Sequence, residues 1–185
     1  MNTYSKNILN FHNQLSLKVG KFENLSTLKK SRRPDALVIT GMGGSGMVGN
    51  LLQNLAEFFK LRVPVLLWKD FDLPNASFAR NPLYLFISFS GNTQETLHGF
   101  RKILQKKNRP LVAVVSGGGK LTKLAQGFKI PLGAISTTGL VPRQANGLLL
   151  YASLGILKTV WPNIQAPDLS KKIKPVKFSR LGLNI

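Results

Sequence analysis

Short apolar runs rich in β-branched residues alternate along this chain with longer segments of helical periodicity, and this alternation constrains the fold more than any other feature. Five such runs predict buried strands, at residues 36–40, 63–68, 83–88, 111–116 and 130–135. The segments that predict helices are 3–19, 45–59, 93–107, 121–127 and 142–160. Because alternating strands and helices form right-handed βαβ units, we predict an α/β fold, a three-layer α/β/α sandwich around a five-stranded parallel sheet.

The length of 185 residues fits one domain with a sizeable core. We expect an N-terminal helix and linker (1–35), the α/β domain (36–160) and a basic, proline-containing tail (161–185). The chain has no cysteine, which excludes disulfides, cysteine nucleophiles and cysteine-ligated metals. No signal peptide or membrane-spanning segment is evident, so we expect a cytoplasmic protein with no membrane partner.

The charge of the chain is strongly positive, with 26 Lys and Arg against 7 Asp and Glu and a net charge of +19. Such a balance favours a polyanionic partner. However, the basic clusters are spread along the sequence, at 28–33, 101–109 and 171–177, and no zinc-finger, RNP-like or basic-zipper motif accompanies them. We therefore attribute the charge to a generally basic surface and disfavour nucleic acid as the partner.

Two unusual loops follow the first and third predicted strands. They are GMGGSG (41–46) and SFSGNT (88–93). In the common strand order 2-1-3-4-5, strands one and three are neighbours at the point where the order reverses, and ligands bind beyond their carboxyl ends. The predicted topology therefore brings the two loops together.

Residue types in these loops suit the capture of an anion. Unsatisfied N–H groups at the starts of the two following helices and the hydroxyls of Ser45, Ser88, Ser90 and Thr93 can all donate to a phosphate monoester. Arg143 begins a helix, where the dipole disfavours a cation, so its position indicates that it faces an anion. The first loop also matches the dinucleotide fingerprint, but the acid expected at the end of strand two is poorly placed.

Five collinear motifs carry a resemblance to a known family: GMGGSGMVGNLL, KDFDLP, SFSGNTQETL, SGGGKLTKLA and LVPRQANGLLL. They resemble the first sugar isomerase (SIS) domain of the bifunctional phosphoglucose/phosphomannose isomerases, over about residues 36–160. The resemblance implies a flavodoxin-like strand order and a domain that binds a hexose 6-phosphate, with no metal and no other cofactor.

The same resemblance implies roles for individual residues. It implies that the phosphate is held by Ser88, Ser90 and Thr93. The residues that would line the sugar are Gly43, Gly44 and Ser45. Arg143 would stabilise negative charge near the reacting carbons.

Catalytic groups are the point at which the chain departs from the family. Aldose–ketose isomerisation needs a general base and a ring-opening group, and in the family a glutamate and a histidine, with a lysine, come from the second domain. We expect Glu95 to cap the helix at 93 together with Asn92, and His12 and His98 to be surface or packing residues. No acid–histidine pair is evident from spacing, so we expect this chain to bind sugar phosphate without isomerising it.

Three hypotheses remain open from the sequence. The chain is a half-length isomerase homologue (a truncation, a split gene or a domain fragment) whose partner, a second SIS domain, supplies the base. Alternatively, it is a non-catalytic sugar-phosphate-binding regulatory module. The third hypothesis is a single-domain isomerase resembling the phosphoheptose isomerases, assembled as a homo-oligomer with its own Glu and His in the pocket.

Overall fold

A computed structural model describes residues 3–74 and 78–173. Its strands are β1 (Gly20–Glu23), β2 (Ala36–Thr40), β3 (Val65–Trp68), β4 (Pro82–Ser88), β5 (Leu111–Ser116) and β6 (Leu132–Ile135). Its helices are α1 (Thr3–Leu9), α2 (Ser26–Lys29), α3 (Gly43–Phe58), α4 (Gln94–Gln105), α5 (Gly119–Gly127) and α6 (Asn146–Lys158). Short 3₁₀ turns lie at Phe11–Gln14, Leu17–Val19 and Pro142–Ala145.

The strands form one sheet in the order β1-β6-β5-β4-β2-β3. Strands β2 to β6 are parallel, and among themselves they have the predicted order 2-1-3-4-5. β2 pairs with β3 on one side and with β4 on the other, so the strand order reverses between β2 and β4. The predicted α/β class and switch point are confirmed.

The sheet has six strands, and the prediction of five missed β1. Residues 3–19 are not one helix, because α1 ends at Leu9 and two 3₁₀ turns follow before the chain enters β1. β1 pairs antiparallel with β6, with Gly20 opposite Ile135. Its sequence, GKFE, has only one large apolar side chain and so no strand periodicity. β1 forms because it can pair with the open edge of β6, which no local pattern reveals.

Two apolar layers cover the sheet. Leu37, Ile39 and Leu85 point to one face, where they pack with α3 and α6. Val38 and Phe86, the alternate residues of the same strands, point to the other face and pack with α4 and α5. Because both faces are buried, the central strands read as continuous apolar runs rather than alternating ones. The three-layer α/β/α arrangement is thereby confirmed.

Most remaining element boundaries agree with the predicted ones to within two residues, and the predicted helix at 142–160 begins as a 3₁₀ turn before α6. The division of the chain at residues 35 and 160 stays a prediction. β1 and the buried Trp161 nevertheless pack with the elements between these boundaries. The last part of the predicted tail, residues 174–185, lies outside the described residues.

Candidate functional site

The loops after β2 and β4 meet beyond the carboxyl end of the sheet, as the sequence predicts. The backbone N–H of Phe89 donates to the buried Ser45 Oγ at 3.2 Å, which ties the second loop to the first turn of α3. We name residues 41–46 and 88–93 together the two-loop site. Its position follows from the parallel pairing of β2 with β4.

Hydroxyl oxygens shape the second loop. Ser88 Oγ accepts from Gly91 N at 3.0 Å and lies 3.1 Å from Thr93 Oγ1, and Ser90 Oγ accepts from Asn92 N at 3.2 Å. Ser88 is only 1% exposed. The arrangement in which Ser88 donates to Thr93 leaves the hydroxyl hydrogens of Ser90 and Thr93 for a ligand. Ser88 then acts mainly by fixing the shape of the loop.

Backbone N–H groups from two helices converge on the same place. The first intrahelical bond of α3 runs from Gly46 N to Met42 O, and that of α4 runs from Leu97 N to Thr93 O. The N–H groups of residues 43–45 and 94–96 therefore have no intrahelical acceptor. Together with the positive ends of both helix dipoles, they create a field that attracts an anion.

The loop between β5 and α5 supports the two-loop site from behind. Gly91 has a φ of +65°, and a Cβ at this position would overlap Gly118 O. A Cβ at Gly117 would overlap Phe89 O in the same way. Leu121 N donates to Gly91 O at 2.9 Å. Sequence reasoning missed the packing role of this glycine-rich stretch, for which three consecutive glycines were the available signal.

Asn92 links these loops instead of capping its own helix. Its Oδ1 accepts from Lys120 N, at the start of α5, at 3.0 Å. The residue that caps α4 is Thr93, without a side-chain hydrogen bond, so the predicted cap formed by Asn92 and Glu95 is wrong. Because the glycine-rich loop lies close to Asn92, the N–H group at the start of α5 is nearer to the Asn92 side chain than the N–H groups of α4 are.

The start of α6 lies against the first loop. A Cβ at Gly44 would be 3.4 Å from Pro142 O and 3.6 Å from Asn146 Oδ1. Arg143, next to Pro142, is exposed in the 3₁₀ turn and forms no ion pair within residues 3–74 and 78–173. The Oδ1 atom of Asn146 is buried, and no described residue donates to it. Asn146 is therefore a candidate site residue that sequence reasoning missed. The available signal was a polar residue at the start of an otherwise apolar helix.

An acid–histidine pair does exist, contrary to the expectation from spacing. His98 Nε2 lies 3.8 Å from Asp72 Oδ1, and the two side chains are 48% and 68% exposed. Lys102 also bonds to Asp72, and this hydrogen bond and the Lys102 charge lower the pKa of the carboxyl group. Because the three residues occupy the exposed face of α4 and the loop beside it, the pair is a surface cluster.

Neither a bilayer-spanning helix nor a metal-binding cluster is present within residues 3–74 and 78–173. None of the helices there combines the length and apolarity that a bilayer crossing requires. Those residues also contain no group of three or more His, Asp or Glu side chains placed to hold a metal ion.

Comparisons with known proteins point to one group of relatives, although no family model matches the chain. The chain is 34% identical over 175 residues to the bifunctional phosphoglucose/phosphomannose isomerase of Caldicellulosiruptor bescii, covering 88% of this chain and 49% of that protein. The Thermoplasma volcanium protein of the same name is 33% identical over 152 residues, covering 80% of this chain and 42% of that protein. The chain thus spans about half the length of the curated relatives it matches.

Solved structures agree at the level of the fold. Tagatose-6-phosphate ketose/aldose isomerase from Escherichia coli superposes with a TM-score of 0.59 at 15% identity, covering 91% of this chain and 50% of that one. The Vibrio vulnificus NanR protein, complexed with ManNAc-6P, gives a TM-score of 0.56 at 15% identity, covering 91% of this chain and 65% of that one. By sequence and fold, this chain is a SIS-domain homologue of the bifunctional phosphoglucose/phosphomannose isomerases that spans about half of their length.

Proposed function

We propose that the chain binds a sugar phosphate, specifically a hexose 6-phosphate, in the two-loop site and does so in the cytoplasm. The observation that carries this proposal is the contact of the two loops through Phe89 N and Ser45 Oγ. That contact brings the starts of α3 and α4 together, so hydroxyls and free N–H groups of both loops lie close to one another. A phosphate monoester has the charge and the acceptor oxygens that complement such a group of donors.

The phosphate and the sugar of the ligand are assigned to different parts of the two-loop site. The phosphate lies at the start of α4, where Ser90 and Thr93 donate to it and Ser88 holds the loop. The sugar lies toward the first loop, because Gly43 borders open space and Gly44 has no side chain to exclude a ring. Ser45 and Arg143 then face the sugar, and Arg143 supplies positive charge from the 3₁₀ turn before α6.

Isomerisation between an aldose and a ketose is proposed only for an assembly that includes a second SIS domain. The named relatives are isomerases, and this chain spans about half of their length. A proton must move between two neighbouring carbons, which requires a positioned base. In the described part of the chain, Asp72 is already bonded to Lys102 on the surface, and we propose that the second domain supplies the base.

Titration calorimetry with fructose 6-phosphate tests the binding proposal. Ser90→Ala combined with Thr93→Ala removes two donors to a charged group, and we expect the affinity to fall by about 10- to 100-fold. The matched control is Thr3→Ala combined with Ser26→Ala, which removes exposed hydroxyls outside the site. Unsubstituted fructose serves as the second control and should bind negligibly. Equal affinities of the two double variants for fructose 6-phosphate would rule out the assigned phosphate position.

A further inference from the structure

Basic residues gather at the amino ends of the five parallel strands, opposite the two-loop site. Each of these strands is entered from a segment that carries Lys or Arg. The residues are Lys29, Lys30, Arg32 and Arg33 before β2, Lys60 and Arg62 before β3, Arg80 before β4, Lys106, Lys107 and Arg109 before β5, and Lys129 before β6. We name these eleven residues the amino edge. Asp35 is the one acid within the same five segments, and Glu57 lies in the last turn of α3.

The fold, not the sequence, creates this concentration of charge. Along the chain the basic residues are dispersed, and that dispersion was the reason to disfavour a nucleic-acid partner. The parallel register places Leu37 beside both Val65 and Leu83, and Leu83 beside Leu111. Every entry segment therefore reaches the same side of the sheet, so basic residues that are dispersed in sequence lie together in space.

Helix dipoles account for part of the arrangement. α3, α4 and α5 end at this side, and Lys60, Lys106 and Lys129 follow their last turns, where a cation is favoured. They do not account for Arg80 and Arg109, which stand at the entries to β4 and β5. The amino edge therefore carries more cations than the helix dipoles explain.

Little of the charge of the amino edge is neutralised within the described ranges. Salt bridges there involve only Asp72 with His98 and Lys102, so none of the eleven cations forms one. The Asp35 carboxylate accepts from the backbone N–H groups of Asn81 and Arg80, and Arg32 acts on it only through its charge. An external polyanion is therefore the partner that would complement this surface.

A cleft with a volume of about 480 Å³ opens within the amino edge. Its walls include four cations, Lys106, Lys107, Arg109 and Lys129, and no acid. Phe128 lies in the same wall and is 49% exposed, and the guanidinium carbon of Arg109 lies 5.7 Å from the centre of its ring. Exposed aromatic rings beside cations are the elements with which proteins stack and hold unpaired bases.

We propose that the amino edge binds single-stranded nucleic acid, with the phosphate backbone along the basic residues and one base in the cleft against Phe128. The five strands extend roughly 19 Å across the sheet, a span that several consecutive phosphates cover. The cleft is concave and holds an aromatic face, which favours an unpaired base over a flat anionic membrane. This inference does not depend on the proposed sugar-phosphate function.

Fluorescence anisotropy with labelled 12-nucleotide oligo(U) and oligo(dT) tests the location. Lys106→Ala with Lys107→Ala should weaken binding at least fivefold more than Lys6→Ala with Lys123→Ala, which removes the same charge from exposed positions elsewhere. The slope of log affinity against log salt should decrease in magnitude by about 1.4 for the first pair, since each lost phosphate contact removes about 0.7. Equal losses in the two double variants would overturn the proposal.

The base contact is tested separately with Phe128→Ala. We expect at least about fivefold weaker oligonucleotide binding and unchanged binding of inorganic polyphosphate, which has charge but no bases. Circular dichroism of each variant verifies that it is folded. If phosphatidylserine-containing vesicles bind the amino edge and oligonucleotides do not, a membrane surface replaces nucleic acid as the partner and the proposal is wrong. It is also wrong if Phe128→Ala weakens both ligands equally.

Discussion

The two ends of the same parallel sheet differ in how they would hold negative charge. At the carboxyl end, glycines, Ser90 and Thr93 surround the starts of α3 and α4, and residues 41–46 and 88–93 include no charged side chain. At the amino end, helices finish and the amino edge presents eleven long cationic side chains. The first end offers short, directional donors fixed by the backbone, and the second offers flexible charges without a fixed geometry.

This difference shows that the topology places the two kinds of surface at opposite ends of the sheet. In a parallel α/β fold every helix begins at one edge and ends at the other, so N–H groups collect at the carboxyl end and carbonyl groups at the amino end. Fixed donors select a small ligand by shape, whereas flexible cations attract any polyanion and are screened by salt. The following predictions test whether the two surfaces are independent.

Catalysis is where we expect the largest effect. The chain alone should bind fructose 6-phosphate but convert it to glucose 6-phosphate about 10²- to 10⁴-fold more slowly than an assembly with a second SIS domain, because we propose that the base comes from that second domain. A coupled assay for glucose 6-phosphate measures this rate, with the Ser90→Ala, Thr93→Ala variant as the background. Turnover on the order of 10 s⁻¹ by the chain alone would contradict the prediction. In that case Asp72→Asn and His98→Gln are the first substitutions to make.

The same substitution, glycine to alanine, should affect the two ends very differently. Gly91→Ala places a Cβ on Gly118 O and strains a positive φ, so we expect the free energy of unfolding to fall by about 3 kcal/mol and sugar-phosphate binding to be lost. Gly127→Ala, at the end of α5, meets open space and should change stability by less than about 1 kcal/mol. Urea unfolding measures both. A mild effect of Gly91→Ala would show that the third loop does not support the site.

Measuring both ligands with each of two arginine variants tests directly whether the two surfaces bind independently. Arg143→Ala should weaken fructose 6-phosphate binding about tenfold and leave oligonucleotide binding unchanged, because it removes one charged contact at the carboxyl end only. Arg109→Ala should have the reverse pattern. On the same preparations, calorimetry measures the affinity of each variant for fructose 6-phosphate and anisotropy measures its affinity for the oligonucleotide. Any variant that weakens both ligands would show that the two surfaces are coupled.

Acid pH provides the smallest expected effect, at the amino end. The N–H of Asn81, with the N–H of Arg80 and the charge of Arg32, lowers the pKa of Asp35 below its ordinary value of 3.8. The ionised carboxylate therefore stabilises the fold above about pH 4, and this contribution disappears as the pH falls through the lowered pKa. The difference in Tm between wild type and Asp35→Asn should be present at neutral pH and vanish in strong acid. A Tm difference that persists unchanged in strong acid would contradict the assignment.

Sequence reasoning succeeded where a local pattern was strong. The apolar runs of β2, β4 and β5 and the helical periods of α3 and α4 predicted both the fold and the meeting of the two loops. It failed where the decisive partner was distant. β1 exists because β6 has an open edge, Asn92 bonds to Lys120 because glycines bring α5 close, and Asp72 reaches His98 across 26 positions of the chain.

The sequence by itself determined the fold class and the positions of the two glycine–hydroxyl loops along the chain, because buried strands and turns of this kind leave a signal within a few neighbouring residues. Only the tertiary structure decided which hydroxyls shape the loop and which remain for a ligand, since that depends on contacts between loops. The tertiary structure also converted dispersed lysines and arginines into one continuous amino edge. The physical reason is that parallel strands return the chain to the same side of the sheet after every helix, so charge that is distant in sequence becomes adjacent in space.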